Sequence, residues 1–83
     1  MKPNYPNPFN GSTLIEYELP RADQVQVAIF DAQGQLIELL KRGQEGAGRH
    51  QLLWQAGQRA SGPYFYQVTA GRIRQARKML LLQ

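Results

Sequence analysis

The 83 residues contain no cysteine, a single histidine and a single tryptophan. Without a thiol there is no disulfide, no thiolate metal site and no cysteine nucleophile, so folding does not depend on redox state. No apolar run is longer than four residues, the length of Met79-Leu80-Leu81-Leu82. That is far short of the ~18 residues of a membrane-spanning helix. The opening Met1-Lys2-Pro3-Asn4-Tyr5-Pro6 lacks the apolar core of a secretory signal, so for an exported parent the signal is expected upstream. Acidic residues are also scarce: 6 Asp and Glu against 10 Lys and Arg give a net charge of +4. An excess this small permits contact with nucleic acid or an anionic surface and compels neither.

What is present is the composition of one small globular domain. Hydrophobic residues make up 42% and charged residues 19%, unlike the low-hydrophobicity, high-charge signature of disorder. A chain this short buries only roughly 60–65% of the surface its unfolded form exposes, which predicts a thin core.

Three of the five prolines fall between Pro3 and Ser12. Proline removes backbone donors and biases its predecessor toward extended geometry, so residues 1–12 are expected to form a stiff entry segment pinned by Tyr5 and Phe9. Residues 13–83 then read as the domain proper. Thr13–Leu19 alternates, with Ile15, Tyr17 and Leu19 on one face and Glu16 and Glu18 on the other. Gln24–Phe30 alternates again around Val25, Val27 and Ile29. Period two marks half-buried antiparallel strands. Asp31-Ala32-Gln33-Gly34 is a turn.

Leu36–Leu40 is compatible with either a strand or two helical turns and is read as a strand between its strand neighbours. Gly43–Gly48 is expected to be a flexible connection. His50–Gln55 forms a fourth strand that buries Leu52 and Trp54. Tyr64–Ala70, rich in aromatic and β-branched residues, forms the fifth, and after a tight reversal at Gly71-Arg72 the chain returns from Ile73 to Leu82. Six strands, with an irregular edge piece near residues 3–8 as a seventh, predict an all-β fold: a compact antiparallel sandwich.

Groupings that would carry chemistry are few. His50 has no neighbouring carboxylates at metal-ligand spacing and reads as a strand residue with an ordinary hydrogen bond. Glu16 and Glu18 resemble a glycosidase pair only in being two carboxylates; they read as the wet face of a strand. Gly43, Gly46 and Gly48 lack the lysine and hydroxyl of a phosphate loop. Ser12 and Ser61 sit in turns with no base near in sequence. Trp54, Tyr64, Phe65 and Tyr66 could form a platform for sugar rings, but alternation places most of them in the core and leaves Phe65 for exposure. Arg72, Arg74, Arg77 and Lys78 could serve nucleic acid; the plainer reading is that they guard the apolar Met79–Leu82 run against aggregation. No catalytic residue, cofactor or metal is expected.

Several stretches together point to one family. Tyr5-Pro6-Asn7-Pro8-Phe9-Asn10 with Ser12-Thr13, Tyr17-Glu18-Leu19-Pro20, Phe30-Asp31 with Gly34, and Trp54 follow in order. Ala60-Ser61-Gly62 with Tyr64-Phe65-Tyr66, Ala70-Gly71 and Arg77-Lys78-Met79-Leu80-Leu81-Leu82 complete the set. The whole resembles a type A C-terminal sorting domain of the type IX (Por) secretion system. It is also similar to the immunoglobulin-like domain of flagellar hook-capping proteins. The chain departs from the pattern at Gly11, Gln35 and Gln83, where the family often has proline, arginine and lysine.

The resemblance implies an immunoglobulin-like sandwich at the end of a secreted Bacteroidetes-type protein. It implies a cargo domain upstream in the same chain, an outer-membrane translocon that reads the module, and a surface sortase that removes it. The route would run through the periplasm to the cell surface or medium, with neither nucleic acid nor a membrane span involved. Within this reading Lys78, Met79, Leu80, Leu81 and Leu82 are expected to be the recognition residues. Gly62, Tyr64, Tyr66, Gly71 and Trp54 are expected to maintain the fold. The competing reading is a carbohydrate-binding or spacer module of a glycoside hydrolase or other surface enzyme, with Phe65 as its contact.

Overall fold

The computed structural model describes residues 3–83, so residues 1–2 of the expected entry segment lie outside the described residues. Six strands and no helix are found among them: β1 Ser12–Leu19, β2 Asp23–Phe30, β3 Leu36–Glu45, β4 Gly48–Gln55, β5 Gly62–Ala70 and β6 Ile73–Leu81. They form two antiparallel sheets, β1-β4 and β3-β2-β5-β6. With the entry segment as strand A, this is the pairing of strands B and E against C′, C, F and G in an immunoglobulin-like sandwich.

The alternating residues of the two sheets meet in one core. Ile15, Val27, Ile29, Trp54, Tyr66, Met79 and Leu81 are fully enclosed within it. Trp54 is the hub: its ring lies 5.8 Å from Phe9 and 5.6 Å, edge-on, from Tyr64. The corner before β5 is fixed by Tyr64, whose hydroxyl donates to the Ala60 carbonyl at 2.7 Å. This is the tyrosine corner of such sandwiches, placed where strand F begins.

Two expectations need correction. The first concerns β3, which does not stop at Leu40 but runs on to Glu45, so that only Gly46 and Ala47 separate it from β4. The flexible connection is therefore a two-residue turn. The ambiguous apolar spacing has a cause: register shifts at Val27/Ala28 and Ile29/Phe30 leave Leu40 and Ile37 without partners on β2. A bulge adds a residue to one strand and resets its parity. Two of them let Ile37 and Leu40, three apart, both pack on the core.

The second correction is Tyr5. Phe9 pins the entry segment, at 2% exposure, but Tyr5 stands 79% exposed and holds by its backbone alone. Its N–H and carbonyl exchange hydrogen bonds with Leu14 at 3.0 and 2.9 Å. Asn4 is the buried side chain instead, donating to Thr13 Oγ1 at 2.9 Å while Thr13 donates to the Pro6 carbonyl at 2.8 Å. Tyr5-Pro6 and Asn7-Pro8 are cis. Farther along, Phe9 N–H donates to Leu80 and the Phe9 carbonyl accepts from Leu82, a parallel bridge to β6. The five residues from Tyr5 to Phe9 thus cross from the edge of one sheet to the edge of the other.

Truncating Phe9 to alanine should cost about 3 kcal/mol, the ordinary loss for an enclosed aromatic. Tyr5→Ala should stay within about 0.5 kcal/mol, as for an exposed side chain. Chemical denaturation of the two variants checks the contrast, and equal losses would mean that the ring of Tyr5 carries the attachment.

Candidate functional site

The terminal strand alternates, and alternation divides its residues between two duties. Met79 and Leu81 point into the core and are fully buried, whereas Lys78 and Leu82 are exposed and Leu80 is half-buried. The five expected recognition residues are contiguous in sequence but do not share a face. β6 is the edge of its sheet, which leaves its outer backbone groups to be satisfied from elsewhere. Over residues 78–82 the entry segment does this: Asn7 donates to the Lys78 carbonyl and accepts from Leu80 N–H at 3.0 Å, and Phe9 bonds Leu80 and Leu82.

The last residue is tied down as well. Gln83 donates its side-chain amide to the carbonyls of Gly57 and Arg59 at 2.9 and 2.8 Å. Its backbone N–H donates to Ser61 Oγ at 2.9 Å. Ser61 is therefore a bracket for the terminus, and glutamine at position 83 has a role in this chain of its own.

Both glycines read from the motif need their conformation. Gly62 opens β5 at φ 142, and Gly71 turns β5 into β6 at φ 57. A Cβ on Gly71 would collide with the Asp23 carboxylate. Trp54, Tyr64 and Tyr66 are buried, so the aromatic platform does not exist; Phe65 alone of the four faces outward, and it is half-covered. The basic cluster is also divided. Arg77 pairs across from inward-facing Tyr66, while Lys78 lies opposite outward-facing Phe65 and Arg74 opposite Thr69.

His50 sits at the opposite side of the sandwich, where side chains rather than backbone join the sheets. Its Nε2–H donates to the Gly46 carbonyl at 2.7 Å and its ring stacks 5.3 Å from Tyr17. The Tyr17 hydroxyl donates to Glu45 at 2.5 Å, and Glu45 also lies 3.5 Å from His50 Nδ1. Nearby, Trp54 Nε1–H donates to Glu38 at 2.9 Å, and the Arg59 guanidinium approaches the same carboxylate at 3.6 Å. These groups latch β3 to β1 and β4. Glu16 accepts from Gln51 on the outer side of the small sheet, and Glu18 is exposed. Among the described residues no three His, Asp or Glu side chains gather into a metal site, and no helix is long and apolar enough to cross a membrane.

A family model described as Secretion system C-terminal sorting domain matches residues 4–82. The chain belongs to that family. No curated protein and no solved structure matches it. The domain is a C-terminal sorting signal of type IX secretion; it is not itself catalytic. It implies a cargo fused upstream and secretion toward the cell surface or beyond. The matched span takes in both the entry segment and the apolar end of β6, the two pieces that the hydrogen bonds join.

Sequence inspection found the apolar terminus and the turn glycines but missed Asn7, Glu45 and Gln83. Their partners lie 71, 28 and 24 positions away, so no local spacing announces them.

The Tyr17 contact makes a statement about pH. Burial first, then the Glu45 carboxylate, hold its hydroxyl well above the ordinary phenol value of 10.0. Below that value both folded and unfolded chains keep the proton and the contribution is intact. Above it the unfolded chain loses its proton first, so stability falls as pH rises. Tyr66, raised chiefly by burial, adds to the decline. Denaturation midpoints taken upward from pH ~10 should fall less steeply for Tyr17→Phe than for the parent, by at most about 1.4 kcal/mol per pH unit. Parallel slopes would remove Tyr17 from this account.

Proposed function

We propose that this domain addresses a folded cargo, after transit through the periplasm, to the outer-membrane translocon of the type IX system, and that a surface sortase then detaches it. Residues 1–12 and 13–83 act as one unit in this reading, entry segment and sandwich together. The observation that carries it is the double anchoring of the terminal strand. Its inward residues, Met79 and Leu81, are core, and its outward residues, Lys78, Leu80 and Leu82, are presented in a fixed alternation.

Strand addition is a common way to read an extended segment, but over residues 78–82 the outer backbone edge is already bonded to Asn7 and Phe9. Side chains are therefore the readable feature. Lys78, Leu80 and Leu82 make the contact, and Met79 and Leu81 contribute by holding the strand in register. A domain that has failed to fold cannot present this alternation, so the signal also reports that folding is complete.

The test is a periplasmic reporter fused ahead of residues 1–83 in a type IX-competent bacterium. Deleting 78–83 should abolish export, but it also removes two core residues. Lys78→Glu combined with Leu82→Gln leaves the core intact and should lower the exported fraction by about tenfold, the loss expected of central contact residues. If the parent fusion stays in the periplasm, or both altered fusions leave as efficiently as it does, the reading fails.

A further inference from the structure

The outward face of the β3-β2-β5-β6 sheet is not the polar surface expected of a solvated antiparallel sheet. Register assigns its rows. Leu36, Phe30, Phe65 and Lys78 lie side by side across all four strands, and Leu39, Ala28, Gln67 and Ala76 form the next row. Pro63 and Leu80 extend the apolar area beyond the first row. Leu36 and Leu39 are 57% and 42% exposed, and Phe30 and Phe65 are half-covered by one another and their neighbours. Ala28 is buried yet does not belong to the core between the sheets.

Charge on this face has one sign. Arg42 and Arg74 stand at the two edges of the third row and Lys78 at the edge of the first. The carboxylates of these strands, Asp23, Glu38 and Glu45, all have the opposite parity, and Asp31 belongs to the turn after β2. Among the described residues no acid shares the face. An apolar centre with cations at its margin complements an apolar surface bordered by carboxylates. It repels a second copy presenting the same face.

We propose that this face is the docking surface for a protein that presents an apolar patch rimmed by Asp and Glu. The inference rests on the sorting function above and deepens it: the partner belongs to the export machinery, and its contact spreads from Lys78 and Leu80 across the sheet to β3. Contiguous apolar patches of this kind on small domains mark interaction sites. Phe65, placed between Phe30 and Lys78, is at the centre.

The decisive substitutions lie outside residues 78–82, three of the four on β3 and the fourth, Arg74, near the start of β6. In the reporter fusion, Leu36→Gln with Leu39→Gln, and separately Arg42→Glu with Arg74→Glu, should each lower export about tenfold. Glu18→Lys, on the outer face of the other sheet, should not. Thermal melting of each 83-residue variant verifies the fold, and the arginine pair, which alters no apolar packing, decides if the leucine pair unfolds. A photo-crosslinking residue at position 39 should capture a protein of the outer membrane.

Export unchanged by both the leucine pair and the arginine pair, with Lys78→Glu/Leu82→Gln still blocked, overturns the docking face and leaves the sorting reading standing. Unchanged export in all of them removes both. Crosslinks confined to lipid, with binding to vesicles of anionic phospholipid that Arg42→Glu/Arg74→Glu abolishes, would assign the face to membrane and overturn the proposal. So would a crosslinked dimer of the chain matched by self-association in sedimentation.

Discussion

The β1-β4 sheet is two strands wide and is packed against a sheet of four. At roughly 4.8 Å between neighbouring strands, the smaller sheet spans about half the width of the larger. One sheet of two strands is marginal on its own, and it leaves the margins of its partner uncovered. The molecule meets this in two different ways. On the β6 side the proline-rich segment lays backbone hydrogen bonds along both sheet edges, from Leu14 to Leu82. On the β3 side, Trp54, Tyr17 and His50 reach across to Glu38, Glu45 and the adjoining turn. Where neither device extends, the inward parity of β6 is open: Ile73, Gln75 and Arg77 are exposed although they follow the same alternation as Met79 and Leu81.

That geometry explains which parts of the fold were legible in the sequence. β1, β2 and β5 are regular strands with one face in the core, and their period of two identifies Ile15, Val27 and Tyr66 directly. β3 is an edge strand with two bulges, and bulges erase the period on which such reading depends. Leu36 and Leu39 then look like core and are solvent-facing, while Ile37 and Leu40 supply the packing. Tyr5 misleads for another reason. An aromatic beside proline is a reasonable anchor, but the segment is held here through main-chain groups and through Asn4 and Asn7. Small amides serve because the proline neighbours remove donors that the edge would otherwise use.

The candidate site was legible as a stretch and not as a surface. Residues 78–82 stand out by composition, but which of them face outward depends on the pairing with Pro63, Tyr64 and Phe65. The same holds for charge. Read along the chain, the acids at 23, 38 and 45 are dispersed among the bases at 41, 42, 74 and 78. Only the register sorts Arg42, Arg74 and Lys78 to one face and the carboxylates to the other. Glu38 and Glu45, both half-buried, have partners on the inner side in Trp54, Tyr17 and Arg59. Glu38 and Glu45 are thus engaged in latching the sheets, while Arg42, Arg74 and Lys78 stand on the outer face.

The order of the terminal strand is tied to folding through position alone. Leu80 lies between Met79 and Leu81, and Lys78 and Leu82 each adjoin one of them, so the strand is held in this alternation only when the sandwich has closed around those two core residues. Closure in turn needs the entry segment, because Asn7 and Phe9 complete the outer edge of that same stretch. The entry segment is where the chain arrives from whatever precedes it, and the terminal strand is where it ends its path through the fold. Their direct hydrogen bonding makes the two ends of the domain one structural element. The contact that fastens the fold at its beginning is thus the one that holds residues 78–82 at its end.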